Sequence, residues 1–354
     1  MTEFAAQLGL SVPLIQAPMA GVSTPALAAT VCEAGALGSI ALGAGDAAAG
    51  RAMIDAVRAH TARPFNVNLF VHDDPVPDAA REAGWCDWLA AEFARFNAPP
   101  PVELRTIYHS FANDAEMLAM LVEARPAVVS FHFGLPPPAA IAALKAAGVL
   151  SLATATNLTE ARAIERAGID AIVAQGIEAG GHRGTFDPVA IDEELGTLAL
   201  TRLLVRTTDV PVVAAGGIMD GAGIAAALTL GAAAAQLGTA FIACEESAAD
   251  EGYRSALAAG GRTRMTSLIS GRPARCLVNR FTELSGAPAS PGYPIAYDAG
   301  KALHAAAKAY GEHGYGAHWA GQGTRLARAI SAGELVTALR QEYVAATARP
   351  ERCN

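Results

Sequence analysis

His182 stands in Gln175-Gly176-Ile177-Glu178-Ala179-Gly180-Gly181-His182-Arg183-Gly184, directly after the apolar run 171–174. An imidazole is the side chain best suited to proton chemistry near neutral pH. The glycines around it allow a backbone to take positive φ angles and to approach a flat ligand closely. Gln175, and Asn68 in Asn66-Val67-Asn68, are uncharged amides that both donate and accept. Such groups suit a flat heterocycle with a mixed edge. A second constellation is Tyr293, Tyr297 and Lys301, spaced by four. On a helix Tyr297 and Lys301 share one face, with Tyr293 at its entry. Two phenols and an ammonium make a clamp for a small carboxylate or nitro group. The same helix also reads as a plain exposed amphipathic one.

Other candidates carry a structural reading beside the chemical one. Gly216-Gly217 and Gly238-Thr239 follow late apolar runs and precede helical stretches. Free amides at such turns cradle a phosphate, although a glycine pair after a strand is also an ordinary tight turn. No Lys or Arg adjoins them, so backbone amides and Thr239 would bind the anion. Asn68 can cap a loop instead, His132 in Phe131-His132-Phe133 can be core, and Met19 can be packing. His182 differs from these, because a glycine-rich loop has little structural need of a histidine.

The elements that must position these groups recur at a steady pace. Apolar runs at 13–17, 36–42, 65–70, 127–132, 149–154, 171–175, 212–215 and 234–238 alternate with helical stretches. The helices carry cap candidates at Thr24, Asp46, Asn113, Asn157 and Asp220. Near-continuous apolar strands between helices imply a parallel sheet covered on both faces. About eight of them is the number a closed (β/α)8 TIM barrel needs, and function in such a barrel sits at the strands' C-terminal ends. An open doubly wound sheet is the competitor, but no GxGxxG follows the first strand. Residues 1–244 are therefore read as the barrel, with a helical excursion over about 72–111. A smaller, mostly helical cap follows over 245–320, and a C-terminal helix, from about 324 to 345 within 321–354, closes the fold.

Composition limits the partners. The chain has 354 residues, 52% hydrophobic and 17% charged, with a net charge of −8. Mean hydropathy is +0.28 and the pI is near 5.5. The acidic balance argues against nucleic acid and anionic membrane surfaces. The stretch 211–244 carries only Asp220 as a charge, but its glycines divide it into strand, turn, helix and strand rather than a span. Cys32, Cys86, Cys244, Cys276 and Cys353 are odd in number and far apart, which indicates buried thiols rather than disulfides or zinc. His304, His313 and His318 lack metal-site spacing and neighbouring carboxylates, so no metal is assigned. Residues 1–5 show no basic start before an apolar core, and a cytoplasmic protein is expected.

Three motifs in this order resemble the nitronate monooxygenases, formerly called 2-nitropropane dioxygenases, of the class I bacterial type. They are Gln16-Ala17-Pro18-Met19-Ala20-Gly21, Ala179-Gly180-Gly181-His182-Arg183-Gly184, and Ala215-Gly216-Gly217-Ile218 with Gln236-Leu237-Gly238-Thr239. Ser130-Phe131-His132-Phe133-Gly134 belongs to the same pattern, and the likeness runs from about residue 10 to 325. It implies a TIM barrel with a helical second domain and a non-covalent FMN. Asn68, Gln175 and Gly180 match FMN-holding positions, as do Gly217, Gln236, Gly238 and Thr239. Ala17, Pro18, Met19, Gly181 and Gly216 fall within the same cofactor-binding motifs. His182 matches the catalytic histidine, while His132, Tyr293, Tyr297 and Lys301 match substrate-pocket positions. Arg183 has no assigned role.

The implied reaction is oxidation of an alkyl nitronate, propionate 3-nitronate foremost, by FMN and O₂ to a carbonyl product and nitrite in a detoxifying role. Its expected partners are that small molecule and O₂, with a homodimer allowed. The competing enzyme reading is an NAD(P)H-dependent barrel flavoprotein, an enoyl-ACP reductase or NADH:quinone reductase. Gln16-Ala17-Pro18-Met19 favours the nitronate branch, because those reductases resemble Gln-Gly-Gly-Met there. A non-catalytic flavin or phosphate-ligand binder is the reading from another class.

Overall fold

A computed structural model describes residues 2–348 of the chain, so Cys353 lies outside the described residues. Eleven strands form among them. They are β1 (Leu14–Gln16), β2 (Ser39–Ala41), β3 (Asn66–Phe70), β4 (Val128–His132), β5 (Leu150–Ala155), β6 (Ala171–Gln175), β7 (Gly181–His182), β8 (Val212–Ala215), β9 (Ala234–Leu237), β10 (Thr263–Thr266) and β11 (Ala274–Leu277). Eight of them pair in parallel in the order β1-β9-β8-β6-β5-β4-β3-β2. A parallel bridge between Ile15 and Leu37, just before β2, brings the two edges together. The fold is thus a (β/α)8 barrel rather than an open doubly wound sheet, because the two edge strands meet.

Gln16 shows how a polar residue serves this closure. It is fully buried in β1, its Nε2 donates to Ser23 Oγ at 3.0 Å, and its Oε1 accepts from the Ser39 amide at 2.8 Å. One side chain therefore ties β1 to β2 and to the loop that follows β1. The register does the rest. Asn68 lies opposite Ser130, Gln175 opposite Ala215, and Ala215 opposite Gln236. These residues form one layer at the C-terminal mouth.

Local signals set most helix starts. Thr24, Asp46, Asn157 and Asp220 each accept a first-turn amide, as their residue types predict. The helix Ala115–Ala124 differs by one residue: Asp114, not Asn113, is its cap. Asn113 instead donates to Asp74 Oδ2 at 3.0 Å. The last helix also differs. It runs Ala332–Thr347 rather than from about 324, because Ser331 and Glu334 form a reciprocal capping box. It packs on the helices Gly221–Thr229 and Pro25–Glu33.

Two segments outside the barrel meet above its mouth. The helix Ala79–Ala94 lies in the excursion and packs against the helix Ile295–Lys308. Trp85, Leu89 and Phe93 from the first share a core with Ala296, Ala299 and Leu303 from the second. Residues 245–320 hold the helices Glu251–Ala258 and Ile295–Lys308, and also β10 and β11. The last two build a small antiparallel sheet with β7, in the order β10-β11-β7. His182, read from the sequence as part of a turn, is in fact on this edge strand, opposite Ala274.

Candidate active site

One cavity of about 520 Å³ opens at the barrel mouth beneath the second unit. Every site residue singled out in the sequence lines it. From the barrel come Ala17, Pro18 and Met19, Asn68, His132, Gln175, and Gln236. The turns add Gly180, Gly181 and His182, then Gly216 and Gly217, then Gly238 and Thr239. Tyr293, Tyr297 and Lys301 face them from the helix Ile295–Lys308 and its entry.

The turn that carries His182 is fixed from all sides. Gln175 donates from Nε2 to the His182 carbonyl at 3.0 Å and accepts at Oε1 from the Gly184 amide at 2.8 Å. Glu178 leaves the turn to accept from the Thr197 amide at 2.8 Å and hydroxyl at 2.8 Å, capping a helix, Thr197–Thr207, that has no cap of its own. Arg275 Nε donates to the Ile177 carbonyl at 2.9 Å. Arg183 finds its role here. Its buried guanidinium is bidentate with Asp192 at 2.7 and 2.9 Å and also donates to the Gln175 carbonyl. A buried charge is tolerable only when paired and hydrogen-bonded in this way. The result is a preorganised loop, not a flexible one.

His182 Nε2 lies 2.9 Å from Ser270 Oγ. Its ring is walled by Trp319 at 5.0 Å, Tyr293 at 5.3 Å and Phe133 at 5.7 Å between centroids. Burial, then His132 and then the Arg272 cation push His182 down to about 3. The imidazole is therefore neutral near pH 7. His132 is pushed down to about 4, chiefly by burial, with Arg272 and Arg183 adding to it against its own hydrogen bond. Both His132 nitrogens are taken up by protein: Nδ1 pairs with the Thr154 hydroxyl at 3.0 Å and Nε2 with the His182 carbonyl at 3.1 Å. His132 thus borders the cavity while holding the His182 backbone.

The amides are partly spent as well. Asn68 gives Nδ2 to the Ser130 carbonyl and hydroxyl, at 3.2 and 3.0 Å, which leaves Oδ1 for a ligand. On the glycine side the backbone is shaped to hold something. Gly216 and Gly217 have φ of +129° and +68°, where side chains are rarely accommodated. A Cβ on Gly180 would come within 2.5 Å of the Gly321 amide nitrogen. Among the described residues the Gly180 and Gly217 amides have no backbone partner. Unpaired amides beside glycines are the donor set a phosphate takes.

At the other side Lys301 Nζ sits 4.9 Å above the Tyr108 ring and 5.2 Å from that of Tyr297. Among the described residues it has no carboxylate partner. Tyr108, Trp319 and Ser270 are residues that the sequence reading passed over. Tyr108 comes from the excursion, where no periodic pattern marks it. Arg272 is likewise absent from the candidate residues read from the sequence; it is buried and stacks 4.1 Å over the Phe133 ring. His304 and His318 line the same cavity with Asp250, a carboxylate distant in sequence that pairs with Lys308 at 2.6 Å. Even so, no group of three or more His, Cys, Asp or Glu among the described residues could hold a metal ion. Nor is any of their helices long and apolar enough to cross a membrane.

Known proteins resemble the chain over nearly all its length. The nitronate monooxygenase family model matches residues 2–342. A nitronate monooxygenase of Paraburkholderia phytofirmans is 61% identical over 340 residues, 95% of this chain and 93% of the relative. One of Pseudomonas aeruginosa is 55% identical over 348 residues, 97% of this chain and 99% of the relative. Among solved structures, nitroalkane oxidase from Streptomyces ansochromogenes has a TM-score of 0.89 at 44% identity and covers 97% of this chain and 98% of its own. FabK from Thermotoga maritima has a TM-score of 0.73 at 28% identity, with 98% and 96% covered.

Proposed function

The chain belongs to the nitronate monooxygenase family, an oxidoreductase family, and from that premise we propose that it oxidises alkyl nitronates with O₂ and a non-covalent FMN to a carbonyl compound and nitrite. One observation carries this reading. A single cavity joins glycine amides suited to a phosphate, amide side chains suited to a flat heterocycle, a neutral histidine and an unpaired ammonium. Propionate 3-nitronate, which has both a nitronate and a carboxylate, fits that set of groups. Identities of 61% and 55% to nitronate monooxygenases favour this reading over the NAD(P)H one.

The residues present fit FMN. The Gly180 and Gly217 amides, with Gly216, Gly238 and Thr239, would hold its phosphate. Asn68 Oδ1, Gln175, Gln236 and the Ala17-Pro18-Met19 backbone would address the ring, beside Gly181. Bound there, FMN would supply the redox chemistry, an electron acceptor for the nitronate that O₂ can reoxidise.

The remaining steps belong to the chain. Lys301 binds the substrate carboxylate, and the aromatic faces of Tyr108 and Tyr297 orient that ammonium. Tyr293, Tyr297 and Trp319 exclude water from the reacting end and strengthen the electrostatics there. His132 and Gln175 hold His182 by its carbonyl. His182, neutral at pH 7, is a hydrogen-bond partner and proton acceptor rather than a steering cation. Attraction of the anion falls to Lys301 instead. In domain terms, residues 1–244 form the cofactor side, 245–320 the substrate side, and the C-terminal helix a closing brace.

Oxygen uptake with propionate 3-nitronate, measured beside NADH oxidation on enzyme whose flavin has been identified, tests the proposal. Nitronate-dependent uptake with nitrite release is expected. Rapid anaerobic bleaching of the flavin by NADH would instead support the reductase reading.

A further inference from the structure

The strap Ser270-Gly271-Arg272 lies against His182 and is not accounted for by substrate or cofactor binding. Ser270 is fully buried. Its Oγ lies 2.9 Å from His182 Nε2 and 3.2 Å from the Arg272 carbonyl. A carbonyl oxygen can only accept, and a serine hydroxyl has one proton to give. Among the described residues the Arg272 carbonyl has no other donor. One arrangement satisfies all three groups: the hydroxyl donates to the carbonyl, and its oxygen accepts from His182 Nε2–H. The reverse arrangement strands a buried carbonyl, which native interiors avoid. The tautomer of a histidine is read from its network in this way.

Nδ1 is the other half of the argument. His182 lines the cavity, and among the described residues its Nδ1 has no hydrogen-bond partner and is not sealed in the interior. The nitrogen open to a ligand is therefore the unprotonated one. Beyond Ser270, the charged and titratable groups facing the ring are His132 from β4, Tyr293 and Tyr297 from the helix entry, and Arg272 from the strap itself. Arg272 is the only permanent cation of the set, and among the described residues no salt bridge pairs it. Its guanidinium, stacked on Phe133, opposes a second positive charge on His182.

We propose that Ser270 is a positioning residue for His182: it locks the Nε2–H tautomer, so that the nitrogen facing the cavity, Nδ1, is the bare one and can take the α-proton of a neutral nitroalkane, the C–H electron pair staying on the substrate as the nitronate. Any proton that His182 takes from or returns to a ligand then passes through Nδ1. The proposal rests on the nitronate monooxygenase reading for its chemistry, but the tautomer can be tested without turnover.

The test uses FMN-loaded enzyme labelled with ¹⁵N-histidine. Wild-type His182 is expected to show protonated Nε2 and bare Nδ1 at pH 7. Ser270→Ala should populate both tautomers and lower kcat/KM for nitroethane about tenfold, whereas Ser270→Thr, which keeps the hydroxyl, should stay within about threefold. A wild-type Nδ1–H tautomer would overturn the proposal, as would a single retained Nε2–H tautomer in Ser270→Ala. If Ser270→Ala does not fold, the wild-type tautomer and Ser270→Thr decide. A protein that consumes no oxygen with any nitronate would sink the functional reading and leave the tautomer result standing.

Discussion

At the scale of single residues the cavity separates two kinds of work. His182 and Lys301 face the ligand, whereas His132 and Arg183 spend their polar atoms holding the His182 turn, and Gln175 holds it with one amide proton and its oxygen while lining the cavity. Two predictions divide the first pair. His182→Asn should retain the flavin spectrum and lower kcat/KM for nitroethane, which must lose its α-proton, by roughly a hundredfold, the usual weight of one positioned proton-transfer group. An unchanged kcat/KM would remove His182 from the chemistry. Lys301→Met should raise KM for propionate 3-nitronate by about ten- to a hundredfold, the loss of one charge-assisted hydrogen bond. Ethyl nitronate has no carboxylate and should be nearly unaffected. Equal losses on the two substrates would show that Lys301 does not read the carboxylate. The types of these residues were legible from sequence, because a histidine among glycines and an ammonium four residues after a phenol stand out locally. Ser270, Tyr108 and Arg272 were not, since each acts through neighbours that are distant in the chain.

At the scale of elements, strands and caps followed from local pattern, while brace and edge contacts did not. The runs at 127–132 and 171–175 became β4 and β6 within a residue. Nothing in Gly181-His182 announces a strand. The two residues are extended because β11, some ninety residues later, supplies the antiparallel partner. The closing helix gives a test at this scale. A Cβ on Gly221 would fall 2.2 Å from the Tyr343 amide nitrogen, and the Gly221 amide donates to Glu342 Oε2 at 2.9 Å. Gly221→Ala should therefore force the helices Gly221–Thr229 and Ala332–Thr347 apart and cost about 2 kcal/mol. Urea unfolding would read this as a lower midpoint with an unchanged slope. A stability equal to wild type would mean that the C-terminal helix does not brace the barrel there.

At the scale of the whole molecule, buried neutral histidines make stability depend on pH. Burial, with neighbouring histidines and Arg272, holds His182 at about 3, and His132 and His318 at about 4, against an ordinary 6.5. Unfolding restores the ordinary value, so below it the unfolded chain binds more protons than the folded one. Their contribution is complete above pH 6.5 and is lost as pH falls from there toward 4 and 3. At pH 5 each should cost on the order of 2 kcal/mol. Asp250, which Lys308 holds at about 2 against the effect of burial, acts in the same direction but only in a more acid window. Urea midpoints of the FMN-loaded enzyme at pH 7.5, 6 and 5 should fall in that order, and a flat series would contradict the burial of these rings. The sequence by itself determined the alternation of apolar strands and helices, most helix caps, and the groups at the strand ends, because each depends on neighbours a few residues away. Only the tertiary structure decided that His182 lies on an edge strand, which of its nitrogens is open, and that Arg183 pins the turn. Those outcomes depend on hydrogen bonds and charges between segments that no local spacing brings together.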